Sequence, residues 1–180
     1  MKRIFLITGL ATAFLLVVVA ASAQVQNNGP RFGGTWSLDK AKSQGLSQRM
    51  QGADKVTWTI TQTDKTIQID PKVEGGQPPQ GGGGGRGPGG PPPPAVYNLD
   101  GTETNIEMGQ GKASLKATWS GGTLELARKT SFTGQDGTER VSTTTQKLSL
   151  SGDGKTLTAL VHSEGGRGGP TDSTLVFNKQ

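Results

Sequence analysis

The sequence predicts an all-β protein: an antiparallel up-and-down meander of eight or nine strands that closes into a barrel. Three observations predict it: apolar and polar residues alternate along most of the chain, turn dipeptides separate the alternating runs, and no helical crossover lies between them. Alternation with a period of two gives a strand one buried and one exposed face. Short links favour a meander over a sandwich, and a long meander removes its exposed edges by curling into a barrel.

The strands are placed where the alternation runs. It is clearest at Val56, Trp58 and Ile60, which alternate with threonines. The one candidate helix is Ala41–Met50, and Gly45 within it disfavours a helix. We predict strands near residues 35–38, 55–61, 65–73, 95–99, 112–119, 123–132, 138–150, 155–163 and 172–179, with a short additional strand at 103–107 as an alternative.

Aspartate–glycine pairs mark the hairpin turns. Asp100-Gly101, Asp136-Gly137 and Asp153-Gly154 each lie between alternating runs. Glycine adopts a positive φ without a clash of Cβ, as tight hairpin turns require. These pairs therefore support consecutive antiparallel strands. A barrel of about eight strands is either filled by side chains or holds one small ligand, and the sequence leaves both interiors open.

Residues 1–23 have the pattern of a secretory signal peptide. Lys2 and Arg3 precede an apolar run, and Ala21-Ser22-Ala23 forms an A-x-A cleavage site. We therefore expect export through a cleaved leader, to the periplasm or outside the cell, with no stable membrane insertion of the mature protein. The alternative is an uncleaved anchor, since the apolar run approaches the roughly 20 residues that span a bilayer.

The mature chain is predicted to form one domain that contains a long loop. Residues 24–33 are polar and are interpreted as a flexible lead-in, and residues 34–180 as the barrel domain, interrupted at 75–94. That segment holds 10 Gly and 7 Pro and a single charge, Arg86. It has no apolar side chain to bury, so we expect it to be disordered. The barrel tolerates it, because the extra closure entropy is only about 1–2 kcal/mol.

Composition and charge exclude several functions. The chain has no cysteine, which excludes disulfides, cysteine-based zinc sites, thiol nucleophiles and a lipid-modified leader junction. The formal net charge of +5 includes the leader's Lys2 and Arg3, and the other basic and acidic residues are interspersed. Such a weak, mixed charge predicts no nucleic-acid partner. Protein partners are left open.

The sequence contains no recognisable catalytic or metal-binding constellation. His162, the single histidine, lies on the outer face of its predicted strand. The alternate positions Leu157, Ala159 and Val161 face the interior. One histidine cannot form a multi-histidine metal site, and no G-x-S-x-G motif accompanies it. We therefore expect no catalytic residue, no metal ligand and no cofactor, and a protein that is not an enzyme.

Gly34-Thr35-Trp36 opens the first strand of the barrel domain and matches the G-x-W motif that lipocalins carry at that place. In lipocalins this tryptophan closes the base of the barrel, and a basic residue of the last strand packs across its ring. The resemblance implies structural roles for Gly34, Trp36 and Lys179, with a cation–π contact of about 0.5–2 kcal/mol. The alternative is a buried tryptophan and a terminal lysine without this relationship.

Further segments extend the resemblance over nearly all of the mature chain outside the Gly/Pro-rich loop. They are Gly34–Asp39, Lys42-Ser43, Tyr97–Gly101, Leu150-Ser151, Asp153–Leu157 and Ser173–Phe177. In these the chain is similar to a family of uncharacterised exported bacterial proteins described as lipocalin-like. The resemblance implies a calycin-type barrel and a small apolar ligand. Two lipocalin features are missing, the T-D-x-x-Y motif and a cysteine pair.

Trp58, Tyr97 and Trp119 lie on the apolar faces of their strands, where their rings either line a ligand cavity or fill the core. They are the candidate ligand-binding residues. The sequence thus predicts an exported, non-enzymatic barrel that binds a small apolar or amphipathic molecule. The alternative is a structural or protein-interaction module of the cell envelope that uses the Gly/Pro-rich loop.

Overall fold

The computed structural model describes residues 29–75, 94–108, 111–134, 137–165 and 169–180. These residues form ten strands and one short helix. In chain order they are β1 (Gly34–Leu38), α1 (Gln48–Gly52), β2 (Lys55–Gln62), β3 (Thr66–Glu74), β4 (Val96–Asn98), β5 (Thr104–Met108), β6 (Gly111–Ser120), β7 (Thr123–Thr133), β8 (Glu139–Leu150), β9 (Thr156–Glu164) and β10 (Thr171–Lys179).

The strands form one antiparallel sheet in the order β4-β3-β2-β1-β10-β9-β8-β7-β6-β5. Neighbours in the sheet are also neighbours in the chain, except where β1 pairs with β10 and places Trp36 opposite Lys179. The edge strand β4 lies against β5 and β6, so the sheet curls into a nearly closed barrel. The predicted all-β meander is confirmed.

The strand count is corrected from eight or nine to ten. The additional strand is β5, at the segment 103–107 that the sequence offered as an alternative. Its pattern is weak because its inward positions, Thr104, Ile106 and Met108, are only half-buried. It pairs with β6 alone, as an edge strand. The barrel is therefore nearly closed between β4 and β5, without a ladder between them.

The helix is shorter and later than predicted. The sequence suggested Ala41–Met50, whereas α1 begins after the N-cap residue Ser47, whose hydroxyl accepts a hydrogen bond from Met50 N at 3.3 Å. Gly45 has a φ of +67°, a left-handed conformation that ends any helix running through it. Ser47, a residue type that favours the N-cap position, is the local sequence signal for the start of α1.

Each strand buries one face in a common core. The largest fully buried side chains are Trp36, Phe32, Phe177, Ile67, Leu115, Leu124, Leu126, Leu148, Leu157 and Val56. The predicted inward set at Val56, Trp58 and Ile60 is confirmed, with all three at most 4% exposed. Burial of such apolar area is the main stabilising term for a sheet of this kind.

Two sequence interpretations fall on parts of the chain that the structure leaves undescribed. The signal peptide, residues 1–23, lies outside the described residues, as does the Gly/Pro-rich segment apart from its end residues Gly75 and Pro94. Within the described ranges, no helix has the length and apolar character needed to cross a bilayer.

Candidate ligand site in the barrel interior

The base of the barrel brings together the three residues predicted to have structural roles. Trp36 is fully buried, and Lys179 Nζ lies 5.4 Å from the centroid of its ring. Gly34 has a φ of +135°, and a Cβ at this position would lie 3.3 Å from Lys179 Cε. Glycine therefore suits this position both for its backbone conformation and for the space that the lysine stem occupies.

Phe32 packs across the same end of the barrel. Its carbonyl oxygen accepts a 2.8 Å hydrogen bond from Trp36 Nε1, and its backbone N–H donates to Gln62 Oε1 at 2.7 Å. Its ring stacks on Trp119 with centroids 6.1 Å apart. Phe32 belongs to the segment interpreted as a lead-in, yet its side chain is fully buried. These contacts fill the base with aromatic groups.

The candidate ligand-binding residues point towards the interior from three strands. Trp58, on β2, is 4% exposed, and its ring centroid lies 4.4 Å from that of Phe177. Tyr97, on β4, is 6% exposed. Trp119, at the end of β6, is half-buried and packs against the core. All three therefore contribute to the packed interior.

Two of these side chains keep a polar atom without a partner. Trp58 Nε1 and Trp119 Nε1 are buried and form no hydrogen bond with the rest of the described chain. A buried donor without an acceptor costs about 1–3 kcal/mol, and native structures leave few of them. Trp36 differs, because its indole N–H is bonded to Phe32. The interior thus contains two donors that an added acceptor would satisfy.

Further from the base, the inward positions become polar. On β8 they are Gln146, Thr144 and Ser142, and on β9 Ser163 follows Val161. Thr144 Oγ1 lies 3.2 Å from Ser163 Oγ, so the two hydroxyls bridge neighbouring strands. The wall formed by β8 and β9 therefore has an apolar half at the base and a polar half above it.

Arg128 is a charged residue on the wall of this polar half. It follows Leu124 and Leu126 at the inward spacing of β7, and it is half-buried. Its Nη2 lies 3.7 Å from the Met108 sulfur. Sequence reasoning missed it, although the period of two that identified the leucines also assigns position 128 to the interior.

The phenol of Tyr97 is influenced by Arg128. Burial raises the pKa of Tyr97, and the positive charge of Arg128 opposes that rise. The phenol is therefore protonated at neutral pH and available as a hydrogen-bond donor. It forms no hydrogen bond with another described residue. A ligand in the polar half of the interior would meet both groups.

A second concavity lies on the outside of the barrel. It is a groove of about 480 Å³ bounded by residues of β8, β9 and β10 and by Gln44 and Gly45. Here His162 Nδ1 lies 2.7 Å from Asp172 Oδ1, and His162 Nε2 lies 3.9 Å from Glu164 Oε2. The hydrogen bond to Asp172 raises the pKa of His162. The outer-face position predicted for His162 is confirmed.

This groove presents an exposed imidazole between two carboxylates, but not a recognisable reaction centre. The His162 side chain is 47% exposed and Asp172 is 83% exposed. The hydroxyl of Ser173 donates to the Gly45 carbonyl at 2.8 Å rather than to the imidazole. Over the described ranges, no group of three or more His, Cys, Asp or Glu side chains is arranged to hold a metal ion. The interior is therefore the stronger candidate site.

The fold and its interior define the class of the protein as a ten-stranded, nearly closed antiparallel β-barrel with an aromatic base. Comparisons of the chain with protein-family models, curated proteins and solved structures found no match.

Proposed function

We propose that this chain is an exported, non-enzymatic, lipocalin-like barrel whose interior binds a small apolar or amphipathic molecule. The observation that carries the proposal is the buried indole N–H of Trp58, which faces the interior without an acceptor. A ligand oxygen within reach of this donor would remove the cost of leaving it unpaired. The nearly closed meander supplies the enclosing wall.

The distribution of side chains favours an amphipathic ligand. Several apolar side chains pack against the core and remain only partly buried: Ile69, Ile106, Val161, Leu46 and Met50. They offer apolar surface that a hydrocarbon body would cover. The polar inward residues of β7, β8 and β9 offer hydrogen bonds to the other end of the molecule. Such a division between apolar and polar surface suits a molecule that has one apolar end and one polar end.

Binding is tested with a neutral fluorescent probe, N-phenyl-1-naphthylamine, titrated into the purified protein. We expect the fluorescence of the probe to rise and saturate at one site per chain. Added dodecan-1-ol should displace the probe and reverse this rise. The variant Trp58→Phe keeps an aromatic ring and removes the N–H, and it should weaken binding of the alcohol more than binding of the probe. Its control is Leu160→Ala, a change at an exposed apolar side chain on the outer face of β9. No enhancement with folded protein would refute the proposal.

Export is tested separately, by intact mass. Expression of the whole chain in a host with a secretion pathway should give a product that begins at Gln24, because the A-x-A pattern ends at Ala23. A product that keeps residues 1–23 and fractionates with membranes would show an anchor instead. This outcome bears on location alone and leaves the binding proposal to its own test.

A further inference from the structure

We propose that the ligand is an anion, and that Arg128 binds its carboxylate group inside the barrel. The inference rests on the proposed function, and it names the class of ligand: a small molecule with a hydrocarbon body and one carboxylate. Four properties of the described residues support it: the direction of Arg128, its lack of a strong partner, the distribution of carboxylates on the strands, and the donors near it.

The register of β7 directs Arg128 to the interior. Leu124 and Leu126 occupy the two preceding inward positions and are at most 1% exposed. Arg128 is paired directly with Leu115 of β6, which is fully buried, and with Thr144 of β8. Directly paired residues in an antiparallel sheet point to the same face. The guanidinium therefore extends from the interior wall, above the leucines.

The guanidinium lacks a strong partner in the described chain. It carries five N–H donors and always bears its charge. Its hydrogen bond to a described residue is made to Met108 Sδ, a weak acceptor, at 3.7 Å. None of the ion pairs among the described residues includes Arg128. Partly buried arginines are normally paired with an acid, so most of its binding capacity is unused.

The carboxylates of the barrel wall are directed away from this group. Every Asp and Glu within the described strands has the outward register: Asp70, Glu74, Glu107, Glu125, Glu139, Glu164 and Asp172. Glu125, for example, lies between the inward residues Leu124 and Leu126. The inward strand positions therefore bear positive charge without negative charge. An anion that enters meets an unopposed cation in a medium less polarisable than water.

Neutral donors surround the proposed carboxylate position. The Tyr97 phenol lies close enough to Arg128 for that charge to influence its pKa, and it is protonated at neutral pH. Thr144 is directly opposite Arg128 in register, and its hydroxyl pairs with Ser163. A guanidinium and a carboxylate match in a bidentate geometry, which a neutral alcohol cannot reproduce. These groups therefore favour a carboxylate over an alcohol of equal chain length.

The experiment measures displacement of N-phenyl-1-naphthylamine by dodecanoate, dodecan-1-ol and dodecylamine, each below the concentration at which it forms micelles. We expect dodecanoate to displace the probe at a concentration at least about tenfold lower than the alcohol, as expected for a charge-assisted hydrogen-bonded pair. Dodecylamine should be the weakest competitor. The variant Arg128→Gln should remove the preference for dodecanoate, because it should weaken displacement by dodecanoate far more than displacement by the alcohol.

The matched control is Lys129→Gln, which removes the same charge from the next residue of β7, on the exposed outer face. It should keep the preference for dodecanoate. If Lys129→Gln reduced the preference as much as Arg128→Gln, general electrostatic attraction would explain it and the inference would be wrong. Thermal unfolding establishes that each variant is folded, and the comparison of dodecanoate with the alcohol needs no variant.

The outcomes separate this inference from the proposed function. Binding of the probe with equal displacement by dodecanoate and dodecan-1-ol would overturn the carboxylate inference and leave interior binding intact. Absence of probe binding to the folded protein would overturn the proposed function and the inference together. Preference for dodecanoate that disappears in Arg128→Gln and persists in Lys129→Gln is the result that supports both.

Discussion

Lys179 and Trp36 face each other in the register between the last strand and the first, with Lys179 Nζ 5.4 Å from the centroid of the indole ring. This pairing of β1 with β10 is the point where the two ends of the meander meet. The contact therefore links the chain termini of the barrel as well as covering its base. Its contribution can be measured by removing the charge.

The variant Lys179→Met keeps most of the length of the side chain and removes the ammonium group. Because Lys179 is exposed, this should lower the free energy of unfolding by about 0.5–1 kcal/mol, the range of cation–π contacts at exposed sites. Urea denaturation measures this. The control is Lys116→Met, at an exposed outward position of β6, which should change stability by less than about 0.5 kcal/mol. Equal effects of the two substitutions would show that the contact contributes nothing.

The two buried tryptophans of β1 and β2 should respond differently to the same substitution. Trp36→Phe removes a hydrogen bond to Phe32 and weakens the contact with Lys179, whereas Trp58→Phe removes a donor without a partner. Both lose similar volume from the core. In ligand-free protein, Trp36→Phe should therefore be more destabilising by about 1–2 kcal/mol. Chemical denaturation checks the difference, and a larger loss for Trp58→Phe would mean that its N–H is already satisfied.

The outer groove predicts a pH effect. The hydrogen bond that His162 donates to Asp172, together with the charge of that carboxylate, holds the pKa of His162 above its ordinary value, and Glu164 adds to the rise. Because the folded-state pKa is raised, the stabilisation is fully present below about pH 6.5 and is lost as pH rises through the folded-state pKa. NMR titration of the imidazole should show Asp172→Asn lowering its pKa.

Glu164→Gln is the control for that titration. Its carboxylate is 3.9 Å from the ring, against 2.7 Å for Asp172, so the shift it causes should be smaller. The carboxylates of Asp172 and Glu164 are both exposed. Screening by solvent therefore keeps the effect of either substitution on the free energy of unfolding small. If the two variants lowered the pKa equally, a general negative field rather than the hydrogen bond would govern the imidazole.

The period of two was sufficient to predict which side chains form the core. It assigned Trp58 to the interior and His162 to the outside, because a strand with one buried face requires alternation whatever its neighbours are. It could not predict the pairing of β1 with β10 or the burial of Phe32. Phe32 stands in a polar segment. Its burial depends on Trp119, which is distant in the sequence, and on the hydrogen bond from Trp36 of β1.

The candidate site was predicted only in part. Trp58, Tyr97 and Trp119 were identified as inward aromatics, but Arg128 was not, because a charged residue in an alternating run is normally solvated. Its significance comes from what surrounds it: the wall positions directed at it lack a carboxylate, and its hydrogen-bond acceptor among the described residues is a thioether. Neither property is visible until the register is known.

The most direct test of interior binding is the ¹H–¹⁵N NMR spectrum of the indole groups, recorded while dodecan-1-ol is added to the protein. The chain has three tryptophans, so three indole N–H signals report on the interior. We predict that the Trp58 signal shifts saturably as its N–H gains the alcohol oxygen as an acceptor, while the signal of Trp36, whose N–H is already bonded to Phe32, moves little. Three unchanged indole signals, with shifts confined to His162 and the outer groove, would contradict it.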